Sequence, residues 1–168
     1  MWDMSPVPYH VTFVCSGNIC RSAMGHTILE RLVAEAGLSD EVRVSSSGTG
    51  DWHVGEQADP RTIAILARYG YDGSTHRARE FDPSEFDAVD LVLASDSGHV
   101  RTLTRLARND GHRRKIRLVR EFDPTAVAAG MLETADPWYG DMDHFERCFR
   151  EVEAACHGVL SHLRTERG

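Results

Sequence analysis

The chain has 168 residues, enough for one domain with a sizeable core, and its 41% hydrophobic and 27% charged residues are ordinary for a soluble globule. A formal net charge of −7 argues against general binding to nucleic acid or to anionic membranes, and no run approaches the about twenty apolar residues of a membrane helix. Met1-Trp2-Asp3-Met4-Ser5-Pro6 lacks the regions of a signal peptide and the four cysteines lack zinc spacing, so a cytoplasmic protein with free thiols and no metal or cofactor is expected.

Strand-like and helix-like stretches alternate, the pattern of an α/β domain with a parallel sheet. His10 to Cys15 reads as a buried first strand. The spacing of Met24, Ile28, Leu29, Leu32, Val33 and Ala36 predicts an amphipathic helix from about Ser22 to Ala36, closed by Gly37. Val42 to Ser46 reads as a second strand, followed by a Gly-rich loop from Ser47 to Gly55. Asp59-Pro60 opens the next helix, with Asp59 as N-cap, with Ile63, Leu66 and Ala67 facing inward and with Gly70 closing it. Ser74 to Arg79 is a polar connection, Val89 to Ala94 a third strand, Ser97 to Asn109 a helix and Lys115 to Val119 a fourth strand. His112-Arg113-Arg114-Lys115 reads as a solvated basic face, with a docking patch for acidic phosphoproteins as the alternative. Phe122 to Asp141 reads as a long irregular stretch. The last helix is expected to start with Asp143 as N-cap and Glu146 three residues on, and to bury Phe145, Phe149, Val152, Cys156, Val159 and Leu163.

The chemistry concentrates where the first strand meets the first helix. Cys15 ends the strand, and Arg21 stands six residues later, where the helix begins. Successive backbone N–H groups in a tight loop, followed by a helix N-terminus, form a cradle for an anion. Arg21 adds a planar fork of donors that matches two phosphate oxygens. The same positive field stabilises a thiolate, the nucleophilic form of cysteine. One loop is thus suited to hold a nucleophile and the oxyanion it attacks.

The spacing Cys-x5-Arg-Ser is the signature of cysteine-dependent phosphatases, and the string Val14-Cys15-Ser16-Gly17-Asn18-Ile19-Cys20-Arg21-Ser22 resembles the low-molecular-weight protein tyrosine phosphatases. The resemblance covers nearly the whole order of elements. It implies an extension over residues 1–8 and one three-layer α/β domain over residues 9–168, with a four-stranded parallel sheet in the order 2-1-3-4 and helices on both faces. It also implies hydrolysis of tyrosine-phosphorylated proteins through a phosphocysteine, with phosphate or another oxyanion seated against Ser16, Gly17, Asn18, Ile19, Cys20 and Ser22.

A thiolate and an arginine take a phosphoryl group but do not readily expel a phenoxide, so a proton donor is needed. Asp136-Pro137-Trp138-Tyr139-Gly140-Asp141 offers one on a loop before the last helix, and Pro137 biases Asp136 toward extended backbone. The family carries its general acid in an Asp-Pro-aromatic-Tyr-Gly segment, which puts Asp136 at that position, with Asp141 and Asp143 as alternatives. Trp138 and Tyr139, with Trp52 from the Gly-rich loop, supply flat apolar walls for an aryl ring, as aromatics at these places do in the family. The family supports its loop by pairing residues like Asn18 and Ser22 with a serine after the second strand and a histidine in the middle connection; Ser46 and His76 match. Asp96 matches a family aspartate with a loop-holding role. Cys20 matches the cysteine that traps an oxidised nucleophile as a reversible disulfide. Cys148 and Cys156, about 12 Å apart by helical rise, read as core thiols, and His53, His99, His112 and His157 as exposed or satisfied side chains.

Three residues depart from the family pattern. Ala23 stands in place of a proline, and Gly25-His26 in place of an Ala-Glu pair; Gly25 costs up to about 1 kcal/mol of helix propensity. These bear on the level of activity rather than its class. Three other readings share parts of this pattern. An arsenate reductase relays a disulfide through cysteines near the third strand, and this chain has none between Cys20 and Cys148. A protein-arginine phosphatase has threonine where Ile19 stands. A phosphopeptide-binding module needs neither nucleophile nor acid. The expectation is a cytoplasmic phosphotyrosine phosphatase acting in signalling.

Overall fold

Apolar side chains on alternate faces of a central strand decide the architecture. In the computed structural model, which describes residues 7–167, β1 (Tyr9–Cys15) sends Val11 and Phe13 into one core and Val14 into another. β3 (Leu91–Ala94) repeats the split, with Leu91 and Leu93 on the first side and Val92 and Ala94 on the second. A strand buried on both faces needs a layer over each. α1 (Arg21–Glu35) and α6 (Met142–Arg167) cover the first face; α3 (Ser97–Leu106) and a 3-10 turn at Pro83–Asp87 cover the second. β2 (Val42–Gly48) and β4 (Ile116–Leu118) complete a parallel sheet in the order β2-β1-β3-β4, the expected topology. Most of the expected extension lies outside the described residues.

The register brings three strand ends level. Cys15 pairs with Gly48 of β2, and Val14 pairs with Ala94 of β3. Strand order reverses between β1 and β3, and the carboxyl edge at such a point is where open α/β sheets bind ligands.

Several boundaries differ from expectation. α2 (Pro60–Arg68) starts on the Asp59 cap, but it buries Thr62, Ile65 and Leu66, while Ala67 is exposed: the inward face is turned by about one residue. The helix expected to reach Asn109 ends at Leu106, because Ala107 turns extended and Asn109 caps a separate α4 (Asp110–Arg114). That places His112 of the basic run in the interior, stacked on Phe86 with its Nε2 2.8 Å from Asp87 Oδ1. Arg113 pairs with Asp110 and Lys115 donates to the Phe86 carbonyl, so the run is largely tied to its own surroundings. The stretch read as irregular holds α5 (Pro124–Ala129) and a 3-10 turn at Pro137–Tyr139. α6 is capped by Asp141, not Asp143: Asp141 Oδ1 accepts from the N–H groups of Asp143 and His144 at 3.1 and 3.2 Å. Its buried stripe is the expected one, including Cys148 and Cys156.

One device recurs. The chain has four Asp-Pro pairs, and each starts a helical turn. The carboxylates of Asp59, Asp82, Asp123 and Asp136 accept from the N–H two residues on, and the proline occupies the position where a missing N–H costs nothing.

Candidate active site

The loop after β1 turns tightly over the end of β2. A Cβ on Gly48 would lie 2.5 Å from the Ser16 carbonyl oxygen, so only glycine lets the loop sit there. Asn18 takes the left-handed conformation, φ 60°, that its short amide tolerates. Its side chain is fully buried and used at both ends. Oδ1 accepts from the Arg79 N–H at 3.0 Å, and Nδ2 donates to Ser22 Oγ at 2.7 Å. A backbone N–H only donates, which fixes the orientation of the amide. Ser22 Oγ lies 2.9 Å from Cys15 Sγ, and to a thiolate there, which only accepts, its hydroxyl donates. His76 Nε2 contacts the Asn18 carbonyl at 2.7 Å. The rigidity expected of this loop thus comes from a chain of bonds ending on the sulfur.

Arg21, 4% exposed, opens α1. Its Nη1 donates to Asp96 Oδ2 at 2.8 Å and to the Thr134 carbonyl at 2.9 Å, and its Nη2 lies 3.5 Å from Asp136 Oδ2. Burial would lower its pKa, but the Cys15 sulfur and the two carboxylates outweigh that and raise it. Asp96 also caps α3, accepting from the His99 N–H at 3.1 Å. Burial pushes its carboxyl up, and the hydrogen bond from Arg21 and the His99 side chain and N–H bring it below the ordinary value. His99 itself is buried; desolvation, with Arg21 nearby, drives its pKa down to about 4 against the pull of Asp96 and Asp136. A neutral imidazole therefore faces Ser16, with Nε2 2.9 Å from Ser16 Oγ. Burial pushes the Cys20 thiol up to about 12, which leaves it protonated.

Cys15, Ser16, Gly17, Ile19, Cys20, Arg21, Trp52, Asp136, Trp138 and Tyr139 line one cavity of about 460 Å³, joined by His53. Its floor is the loop and its walls are aromatic: Trp52 is 69% exposed, and Trp138 and Tyr139 meet edge to face at 4.9 Å. Asn18, Ser22 and His76 sit behind the floor, and Asp96 behind Arg21. Ser46 does not join them as expected. Its hydroxyl is taken by His26 Nδ1 of α1 at 2.8 Å rather than by Asn18 or Ser22. A wider groove of about 660 Å³ between His26, Arg31, Tyr71 and Arg77 contains no cysteine. Among the described residues, no group of three or more His, Cys, Asp or Glu is disposed to hold a metal ion, and no helix is long and apolar enough to cross a membrane.

Three residues around the site were not expected there: His53 and His99, which read as exposed or satisfied side chains, and Arg61. His99 stands three residues after the Asp96 cap, a spacing that puts both at one helix end. His53 follows Trp52 and lies over Gly17, where an added Cβ would come 2.8 Å from its ring. Arg61 is the second residue of α2 and contacts the Asp136 loop.

Comparison with known proteins gives one answer. The family model described as low molecular weight phosphotyrosine protein phosphatase matches residues 10–168. A low molecular weight protein-tyrosine-phosphatase of Streptomyces coelicolor is 51% identical over 158 residues, 94% of this chain and 95% of that protein. The low molecular weight phosphotyrosine protein phosphatase of Sus scrofa is 33% identical, covering 92% and 95%. Among solved structures, a protein tyrosine phosphatase from Entamoeba histolytica with Hepes in its active site superposes with a TM-score of 0.87 at 27% identity, over 95% of this chain and 99% of that one.

Proposed function

We propose that in this chain, which belongs to the low-molecular-weight protein-tyrosine-phosphatase family, Cys15 is the nucleophile, Arg21 holds the transferring phosphoryl group and Asp136 moves the proton. The observation that carries this division is the convergence of all three on one cavity, with Asp136 Oδ2 3.5 Å from Arg21 Nη2.

The enzyme hydrolyses phosphotyrosine through a phosphocysteine intermediate. In the first step Cys15 Sγ attacks phosphorus in line and the bond to the tyrosine oxygen breaks. Asp136 gives its proton to the leaving phenolate. The loop N–H groups and the Arg21 fork match the charge spread over the three equatorial oxygens. In the second step the Asp136 carboxylate takes a proton from water, the resulting hydroxide attacks phosphorus, the S–P bond breaks and phosphate leaves. The Ser22 hydroxyl, directed at the sulfur, stabilises the departing thiolate. Trp52, Trp138 and Tyr139 stand where a phenyl ring projects from a phosphate seated on the loop, which supports phosphotyrosine in proteins as the substrate. Ile19 on the cavity wall favours an aryl group over the guanidinium of phosphoarginine, the second reading. Residues 9–168 are read as the catalytic domain. Four free cysteines support a reducing cytoplasm as its setting, where a phosphotyrosine phosphatase serves signalling.

Phosphate release from phosphotyrosine, phosphoserine and phosphoarginine peptides, with Cys15→Ser alongside, tests the assignment. Release from phosphotyrosine alone, abolished by the substitution, is expected. A preference for phosphoarginine would move the reading to the sister activity, and turnover surviving in Cys15→Ser would exclude Cys15 as nucleophile.

A further inference from the structure

The segment Asp136–Gly140 carries a proton donor and two aromatic walls; Pro137 is buried, but Trp138 and Tyr139 are 43% and 84% exposed, and little of the segment's own substance fixes their distance from Cys15. Arg21 meets the Asp136 carboxylate at 3.5 Å, and a second side chain from another element holds the backbone of the segment. Arg61 donates from Nη1 to the Gly140 carbonyl at 3.1 Å and from Nη2 to the Trp138 carbonyl at 3.2 Å. The same guanidinium grips Asp59 as a fork, Nε to Oδ1 at 3.1 Å and Nη2 to Oδ2 at 2.9 Å. It lies over the buried Phe145 ring of α6, 4.4 Å from the centroid.

Asp59 connects this clamp to the other half of the site. It is 8% exposed, and its backbone N–H donates to the Ile19 carbonyl at 3.0 Å. Burial pushes its carboxyl up, but the bonds from Arg61 bring it below the ordinary range, so it stays charged. A continuous path therefore runs from the nucleophile loop at Ile19 through Asp59 and Arg61 to the backbone on both sides of Tyr139. Arg61 does not line the cavity that holds Cys15.

We infer that Arg61 is a positioning residue for proton transfer: it locks the Asp136 loop to the Cys15 loop and so sets the reach of the acid. This rests on Asp136 being the proton donor. The task suits arginine alone, because one planar fork serves a carboxylate and two carbonyls at once, which the point charge of lysine does not. Proton donation matters most when the leaving phenolate is basic, as tyrosine's is, and least when it is a nitrophenolate.

The test is kcat/KM for phenyl phosphate and 4-nitrophenyl phosphate in Arg61→Gln, Arg61→Lys and Asp136→Asn, with urea unfolding of each. General acid catalysis is worth about 100-fold or more, so partial misplacement in Arg61→Gln should cost about tenfold on phenyl phosphate and under about threefold on 4-nitrophenyl phosphate. Arg61→Lys should fall between it and the parent, and it carries the test if Arg61→Gln does not fold. Asp136→Asn should show the same selectivity, enlarged. Equal losses on both substrates, or none, in folded Arg61 variants beside a selective Asp136→Asn would overturn the clamp and leave the acid standing. A non-selective Asp136→Asn would overturn both.

Discussion

Gly25 sits in the first turns of α1, where helix propensity and packing predict opposite signs for its replacement. Propensity alone makes Gly25→Ala stabilising by about 1 kcal/mol. An added Cβ, however, would lie 2.3, 2.6 and 2.8 Å from Cδ1, Cε1 and Cγ of Phe13, far inside the about 3.5–4.0 Å of a good carbon contact. Phe13 is 3% exposed, and its backbone is held on both sides, in register with Ser46 of β2 and Leu93 of β3. The ring cannot withdraw without moving β1 or α1. Overpacking of this kind costs about 1–3 kcal/mol, so the sum is a loss of about 1 kcal/mol, or a Tm lower by about 3 °C for a chain this size. Phe13 is also two residues from Cys15, so a shifted β1 should lower kcat/KM together with stability.

Urea unfolding of Gly25→Ala, Phe13→Leu and the double variant measures this. The pair should couple, with Gly25→Ala less harmful by about 1 kcal/mol once the ring is gone. A Gly25→Ala protein that is more stable than the parent, with additive double-variant energies, would refute the packing argument and return Gly25 to a plain propensity defect.

Two further outcomes follow from groups behind the cavity. His99 accepts a proton at about pH 4 when folded and near 6.5 when unfolded, so the unfolded state gains protons first as pH falls. Stability should drop between pH 6.5 and 4 by about 3 kcal/mol on this account; His99→Gln should flatten that part of the curve, and an unchanged slope would exclude His99 as its source. Asn18→Ala leaves the Arg79 N–H and the Ser22 hydroxyl without their partner and forces alanine into the left-handed region, which should cost about 2–4 kcal/mol in urea unfolding. A loss below about 0.5 kcal/mol would show that the amide is not what holds the loop.

What could be read from sequence was local. The loop, its arginine and the Asp-Pro segment are short strings whose geometry follows from neighbours in the chain; the order of the strands pairs residues far apart and was implied by the family resemblance. What could not be read depended on residues far apart. The reason for Gly25 is an aromatic ring on another element, and the partner of Ser46 is a histidine twenty residues earlier, brought over β2 by α1. Asp141 and Asp143 both carry a capping pattern, and the cap falls to Asp141 because the chain turns helical at Met142. α5 carries a legible signal, since Asp123-Pro124 has the same cap and first-position pattern as Asp59-Pro60, but with no long apolar stripe after it the stretch reads as irregular.

The charges around Arg21 explain how a protein of net charge −7 holds an anion. Beyond about 8 Å a charge is screened at physiological salt, so the loop is governed by its neighbours and not by the total. A guanidinium this deeply buried needs a permanent counter-charge. On the proposed mechanism Asp136 cannot be that partner, because there it gains and loses a proton in every turnover. Asp96 can: it lies closer to Arg21, at 2.8 Å against 3.5 Å, and a cap bond and Arg21 itself keep it ionised. Arginine has five N–H donors, and the two on Nη1 are taken by Asp96 and the Thr134 carbonyl. Those on Nε and Nη2 remain to meet a phosphoryl group. Asp96 thus neutralises and orients Arg21 from behind, which leaves the rest of the fork free to bind.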